Sequence, residues 1–161
     1  NYFVITIKNL YLCATDFLKM NLKEEISPEF AKMLFESEDK VYEFIASVKW
    51  SDGYRCRHCN HVNFCRGKQP FSRRCTRCKK DESALANTIF HNLKFPVNKA
   101  FYIAYHVCVM GEDFSTYQYA DLLGINQMTC WKFRKRIQDC MLHRSQVSSK
   151  YILKDILMAN Q

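Results

Sequence analysis

Four cysteines in the stretch YRCRHCNHVNFCRGKQPFSRRCTRCKKD, residues 54–81, stand at spacings that suit metal coordination. Two residues separate Cys56 from Cys59 and Cys75 from Cys78, and fifteen lie between the pairs. Two intervening residues let one tight turn aim both thiolates at one ion, and two such turns complete a tetrahedron with zinc–sulfur distances of ~2.3 Å. This is zinc-ribbon spacing. The stretch has few large apolar residues and so little core of its own, and structural zinc contributes roughly 10–16 kcal/mol to small motifs of this kind. Zinc is preferred over iron, which four thiolates can also hold. With every ligand from protein the site is closed, hence structural rather than catalytic. Thioredoxin-type redox chemistry fits less well, because it needs one Cys-x-x-Cys at a helix start in a βαβ setting. His58 and His61 flank the first pair and Cys65 follows it; with two complete cysteine pairs they read as neighbouring or surface groups rather than ligands. Cys108, Cys130 and Cys140 fall on apolar helix faces and read as small core residues.

A second constellation lies in TYQYADLLGINQMTCWKFRKRI, residues 116–137. Ala120 is a small residue, Gly124 allows a sharp turn four positions later, and Tyr119, Leu123, Ile125, Cys130, Phe133 and Ile137 fill apolar positions. That is the pattern of a helix-turn-helix, in which two helices pack at a steep angle and the second enters the DNA major groove. Asn126 suits the cap of the second helix. Gln127, Met128, Trp131, Lys132 and Lys135 then face outward, with Arg134 and Arg136 on the flanks. Gln127 suits a base edge; Lys132, Lys135 and Arg136 suit phosphates. A helical hairpin with a solvated basic face is the plainer alternative.

Charge distribution links the two. The chain has 24 Lys and Arg against 16 Asp and Glu, and the surplus is concentrated. Residues 49–80 carry ten basic groups and one acidic, and residues 131–150 carry six and one. Two basic blocks on a mildly acidic frame favour a polyanionic partner, nucleic acid before an anionic membrane surface. In the cysteine block Arg55, Arg57, Arg73, Arg74 and Arg77 are the candidate contacts. No run approaches the ~18 apolar residues of a membrane span. The opening NYFVITIKNLYLCATDFL is interrupted by Lys8, Asn9 and Asp16, and no small-residue cleavage site follows, which argues against a signal peptide. Met20 opens a segment that reads like a natural start, so residues 1–19 are expected to be a translated leader or a fragment's edge. Nine cysteines, an odd number and mostly outside a regular framework, suit a reducing cytosol.

The elements that must position these groups are mainly helical. Ser27, Pro28 and Glu29 form a helix start, with Phe30, Met33 and Leu34 on one face. Ser37 can cap a second helix whose buried stripe is Val41, Phe44, Ile45 and Val48. HVNFCR and FSRRC read as short strands around a turn at GKQP. SALANTIFHNLKF is ambiguous. Pro96 starts a further helix, with Phe101, Ala104, Tyr105, Cys108 and Val109 at helical spacing and Gly111 closing it, and two more short helices are expected within residues 114–142. The expected fold is mainly α with a small β zinc ribbon: residues 1–26 a leader or poorly ordered segment, 27–50 N-terminal helices, 51–83 the ribbon, 84–145 a helical domain with the helix-turn-helix, and 146–161 a tail with room for a short helix.

KVYEFIASVKWSDGYRCRHC, then RRCTRCKKDESALANTIFHNLKFPVNKAFYIAY, then STYQYADLLGINQMTCWKFRKRI resemble, in order and spacing, the N-terminal region of zinc-ribbon insertion-sequence transposases, whose catalytic domain is of the DDE type. The resemblance covers roughly residues 38–141, and its most specific pieces are Lys49-Trp50, Thr88-Ile89-Phe90-His91 and ADLLGIN. It implies that Cys56, Cys59, Cys75 and Cys78 hold structural zinc and that residues 126–136 form a recognition helix. It further implies binding to double-stranded DNA at transposon ends, a full-length transposase or a second copy as a further partner, and a place in a bacterial cytosol or nucleoid. Two-metal strand transfer needs several converging carboxylates. Asp155 alone does not provide them, and Glu112, Asp113 and Asp121 read as solvated acids, so no strand-transfer chemistry is expected in this chain. The alternative from another class is a zinc-stabilised adaptor or transcription regulator whose basic surface meets an acidic protein.

Overall fold

Ser27 starts the first helix as its type and position predict. In a computed structural model, which describes residues 26–110 and 114–144, its Oγ accepts the Phe30 N–H at 3.2 Å and Pro28 occupies the first position of α1, Pro28–Phe35. Residues 1–25, Gly111 to Asp113 and 145–161 lie outside the described residues, and with them the expected leader, the helix end at Gly111, the acids Glu112, Asp113 and Asp155, and the C-terminal tail. Ser37 precedes α2, Glu38–Lys49, but its hydroxyl makes no capping bond. The carboxylate of Glu38 acts elsewhere: its Oε2 accepts from the Val97 N–H at 2.9 Å and so caps α3, Val97–Tyr105, across 59 residues of chain. Asn98 returns the link, its Nδ2 donating to the Phe35 carbonyl at the end of α1 at 2.9 Å. An acidic group at a helix N-terminus and a donor at a C-terminus each meet backbone groups that the helix leaves unpaired.

The α-helical path of α3 ends at Tyr105 and widens into a π-helical turn, His106–Met110. Two helices follow. Thr116–Leu123 is α4, started by a capping box in which Ser115 and Gln118 satisfy each other's backbone N–H groups. Gln127–Arg144 is α5, eighteen residues long where a short helix was expected. The segment from Ala84 to Phe95 is a run of turns without regular secondary structure, yet Ile89 and Phe90 within it are fully buried.

One core joins the helices on both sides of the ribbon. Leu34 of α1, Val41, Phe44, Ile45 and Val48 of α2, Phe101 and Ile103 of α3, and Tyr119, Cys130, Phe133 and Ile137 of the last two helices are all buried in it. Phe90 is its keystone, stacked on Phe133 with ring centres 5.9 Å apart and 6.4 Å from Phe101. The ribbon is an excursion from this body. Its antiparallel sheet has the order β1, Phe64–Arg66; β2, Arg73–Cys75; β3, Asp81–Glu82. Phe64 pairs with Cys75 and Arg66 with Arg73, while Arg73 and Arg74 lie opposite Glu82 and Asp81. Gly67 ends β1 where a Cβ would collide with the Ser72 hydroxyl, so only glycine fits there.

Candidate metal centre and basic helix

Each cysteine pair sits in a knuckle of the same design. The Cys56 carbonyl accepts from the Asn60 N–H at 2.8 Å and its N–H donates to the His61 carbonyl at 2.9 Å; Cys75 does the same with Lys79 and Lys80, both at 3.0 Å. Asn60 and Lys79 are left-handed, with φ of 56° and 61°, which reverses the chain right after the second cysteine of each pair. The four sulfurs lie within 4.8 Å of one another, with Cys56 at 3.5 Å from Cys78 and Cys59 at 3.6 Å from Cys75. Sulfurs tetrahedral about zinc at ~2.3 Å stand about 3.8 Å apart, whereas a disulfide needs ~2.05 Å. The donor set and its size fit a structural zinc ion held by Cys56, Cys59, Cys75 and Cys78.

The first cysteine of each knuckle is drawn toward thiolate. Burial raises the Cys56 thiol, but the N–H groups of His58 and Cys59, with the sulfurs of Cys78 and Cys59, outweigh it and bring it down to about 6. Cys75 is lowered the same way, burial being overcome by the N–H groups of Cys78 and Arg77. At Cys59 the His61 N–H pulls down, yet burial and the surrounding sulfurs win and raise it to about 11. A set with some members poised as thiolate and others resisting further negative charge is one that a dication completes. His61 and His58 are engaged beside the site, His61 Nε2 with Thr76 Oγ1 at 3.1 Å and His58 Nδ1 with Lys80 Nζ at 3.3 Å. Cys65 is exposed on β1. Cys130 is buried, and burial pushes the Cys108 thiol up to about 12, as core positions require.

A buried lysine fastens the ribbon to α2. The side chain of Lys49 is 3% exposed; its Nζ contacts Glu82 Oε1 at 2.7 Å and donates to the carbonyls of Ser83 at 3.0 Å and Ala86 at 2.8 Å. Burial lowers its pKa, and the bond to Glu82 opposes the shift. Next to it Trp50 packs with Tyr54, Cys56, Cys75 and Ala84 in a small second core. The Arg73 guanidinium is stacked between Trp50 and Phe64, 4.3 and 4.0 Å from their ring centres. In sequence Lys49 stands out only as part of the Lys49-Trp50 pair of the resemblance, and neither its type nor its spacing points to this partner set. Arg55, Arg57 and Arg77 are exposed and Arg74 is half-buried on β2.

Residues 36–81 match the family model of the transposase zinc-ribbon domain. The span takes in α2 as well as both knuckles, and Trp50, next after that helix, packs with Tyr54, Cys56 and Cys75 within it. No curated protein and no solved structure matches the chain. Among the described residues no helix is long and apolar enough to cross a membrane.

The basic face of α5 is built from its turn outward. Gly124 ends α4 in the left-handed conformation at φ 59°, and the Ile125 N–H returns to the Ala120 carbonyl at 3.2 Å. Asn126 then caps α5, its Oδ1 accepting the Met128 N–H at 2.8 Å. Gln127 Nε2 donates to Thr116 Oγ1 at 3.0 Å, which fixes the first turn of α5 against the first of α4. Met128 and Trp131 are 51% and 45% exposed, Lys132 and Lys135 are exposed with them, and Lys135 Nζ lies 5.4 Å from the Trp131 ring centre. The two flanking arginines are tied to backbone. Arg134 Nη1 donates to the Phe114 carbonyl at 2.9 Å, and Arg136 Nη1 to the carbonyls of Ile89 at 2.8 Å and His91 at 3.0 Å.

Proposed function

We propose that the chain is the DNA-binding part of a transposase-related protein, that α4 and α5 form a helix-turn-helix, and that α5 enters the major groove at the terminal inverted repeats of a mobile element. The observation that carries this reading is the outer stripe of α5. Met128, Trp131, Lys132 and Lys135 lie exposed on one face after a three-residue turn, in a chain whose residues 36–81 match a transposase zinc ribbon. A short turn with a left-handed glycine, a capped second helix and a basic outer face are what a groove-reading helix requires.

Roles divide along the stripe. On this reading Met128 and the amide oxygen of the half-buried Gln127, near the helix start, meet base edges, while Lys132 and Lys135 neutralise phosphates. Arg134 and Arg136 act by positioning, one holding the approach to α4 and the other the turn at residues 89–91. In the ribbon, Arg55, Arg57, Arg74 and Arg77 present charge to the flanking backbone, with Arg73 holding the sheet to Trp50.

Duplexes selected from a randomised pool by the zinc-loaded chain, compared with scrambled versions by fluorescence anisotropy at near-physiological salt, test the reading. A preference of tenfold or more, about 1.4 kcal/mol, is expected. Equal weak binding to both would reduce the chain to a non-specific basic scaffold. No binding would replace the reading with an adaptor for an acidic protein partner.

A further inference from the structure

A cleft of about 230 Å³ opens between the turn at Asn92 to Phe95 and the outer side of α5. Its polar lining is Asn92, Lys94, Thr129, Lys132 and Arg136, and no carboxylate is among the lining residues. Both of its walls are fixed. Arg136 bonds the carbonyls of Ile89 and His91 just before the turn. Just after it, Phe95 meets Phe133 of α5 edge to face with ring centres 5.5 Å apart. Asn92 takes a left-handed φ of 55° between these anchors, and Lys94 is exposed on the segment they hold. The fold thus holds Lys94 at the mouth of a cleft whose other wall carries Lys132 and Arg136.

Like charges gathered without a carboxylate repel each other, and burial of apolar surface nearby does not require them. An anion at the cleft reverses the sign of that interaction. Two ammonium groups, an amide and a hydroxyl in a space this small suit a tetrahedral oxyanion rather than a flat base. We infer that the cleft seats one backbone phosphate of the duplex, flanking the bases read by α5, with Lys94 and Lys132 as its counter-charges. The inference rests on the helix-turn-helix reading above and extends it, because it places a group outside α4 and α5 on the DNA.

The test uses the whole zinc-loaded chain, a selected duplex and its scrambled version, with Lys94→Gln against the parent across a salt titration. Lys94 is exposed, so an unchanged melting temperature confirms that the variant folds. The expected result is a shallower slope of log affinity against log salt, by up to about 0.9 because Lys132 shares the phosphate, with binding to both duplexes weakened by the same factor. Replacing single phosphates by uncharged methylphosphonates is then expected to reveal one flanking position that weakens the parent more than it weakens Lys94→Gln, in which Lys132 alone still meets that phosphate. An unchanged slope alongside a retained duplex preference would overturn the cleft and leave the helix-turn-helix reading standing. A shallower slope with no such position would show a free anion in the cleft instead, which also overturns the inference. Failure of the parent to bind any duplex would overturn both.

Discussion

The ribbon and the helical body are held together by different physics. In the body, buried aromatic and aliphatic side chains from both ends of the described chain meet around Phe90, Phe101 and Ile137. The ribbon buries only Tyr54, Cys56, Cys75 and Ala84 against Trp50, and the rest of its order comes from four sulfurs, one buried ion pair and one stacked guanidinium. A core of that size does not offset the conformational entropy of some thirty residues, at about 1–2 kcal/mol each. The body thus has a hydrophobic core of its own, whereas the order of the ribbon leans on its four metal-ligating cysteines and on the Lys49 anchor.

Removing the metal separates the two regions most strongly. Chelation, or Cys75→Ser, removes a contribution of roughly 10–16 kcal/mol. The ribbon is expected to lose its amide protection from hydrogen exchange, while far-ultraviolet circular dichroism of the helices is retained. Loss of the helical signal with the metal would show that the regions fold as one. Phe90→Ala is the converse, since it empties the centre of the body at a cost of roughly 3–5 kcal/mol. Its melting temperature is expected to fall while zinc stoichiometry, read by elemental analysis of the folded protein, stays at one.

Lys49→Met addresses the joint between them. It leaves the Glu82 carboxylate half-enclosed without its partner, and breaking such a pair costs roughly 3 kcal/mol or more. Faster exchange of amides at residues 82–86 and increased solvent quenching of Trp50 are expected, with Glu82→Leu added to the same chain restoring much of the loss. The smallest effect is expected at Asn126→Ala. Loss of that cap costs about 1 kcal/mol, shifts the melting temperature slightly and loosens the first turn of α5, leaving the metal site untouched.

Local chemistry was legible in sequence where one residue's type and spacing decide the outcome. The cysteine pairs, the Ser27–Pro28 start and the Gly124–Ile125–Asn126 turn each act within a few positions, and all stand where their chemistry requires. What escaped depends on partners far along the chain. Lys49 belongs to a pair that marks the resemblance, but its partners, Glu82 and the carbonyls of Ser83 and Ala86, lie more than thirty residues on. Glu38 reads as a first-turn acid of its own helix, yet it caps α3. The strand at Asp81–Glu82 has neither length nor β-branched residues and is defined by its backbone pairing with Arg73 and Arg74 of β2, its Glu82 carboxylate held by Lys49. Ser37 shows the reverse, a capping residue at the right place whose hydroxyl makes no cap. Arg134 and Arg136 look like free charge on a helical wheel, but the backbone of residues 89–91 and 114 claims their Nη1 groups.

The central claim is that the exposed stripe of α5 meets DNA. The most direct measurement is the salt dependence of duplex binding by Lys132→Ala/Lys135→Ala against the parent chain, both zinc-loaded. The expected result is a slope of log affinity against log salt reduced by about 0.9 for each lysine that neutralises a phosphate, with the helical signal and zinc content unchanged. A slope equal to the parent's in a folded variant would mean that the basic face of α5 lies away from the nucleic acid, and would contradict the account.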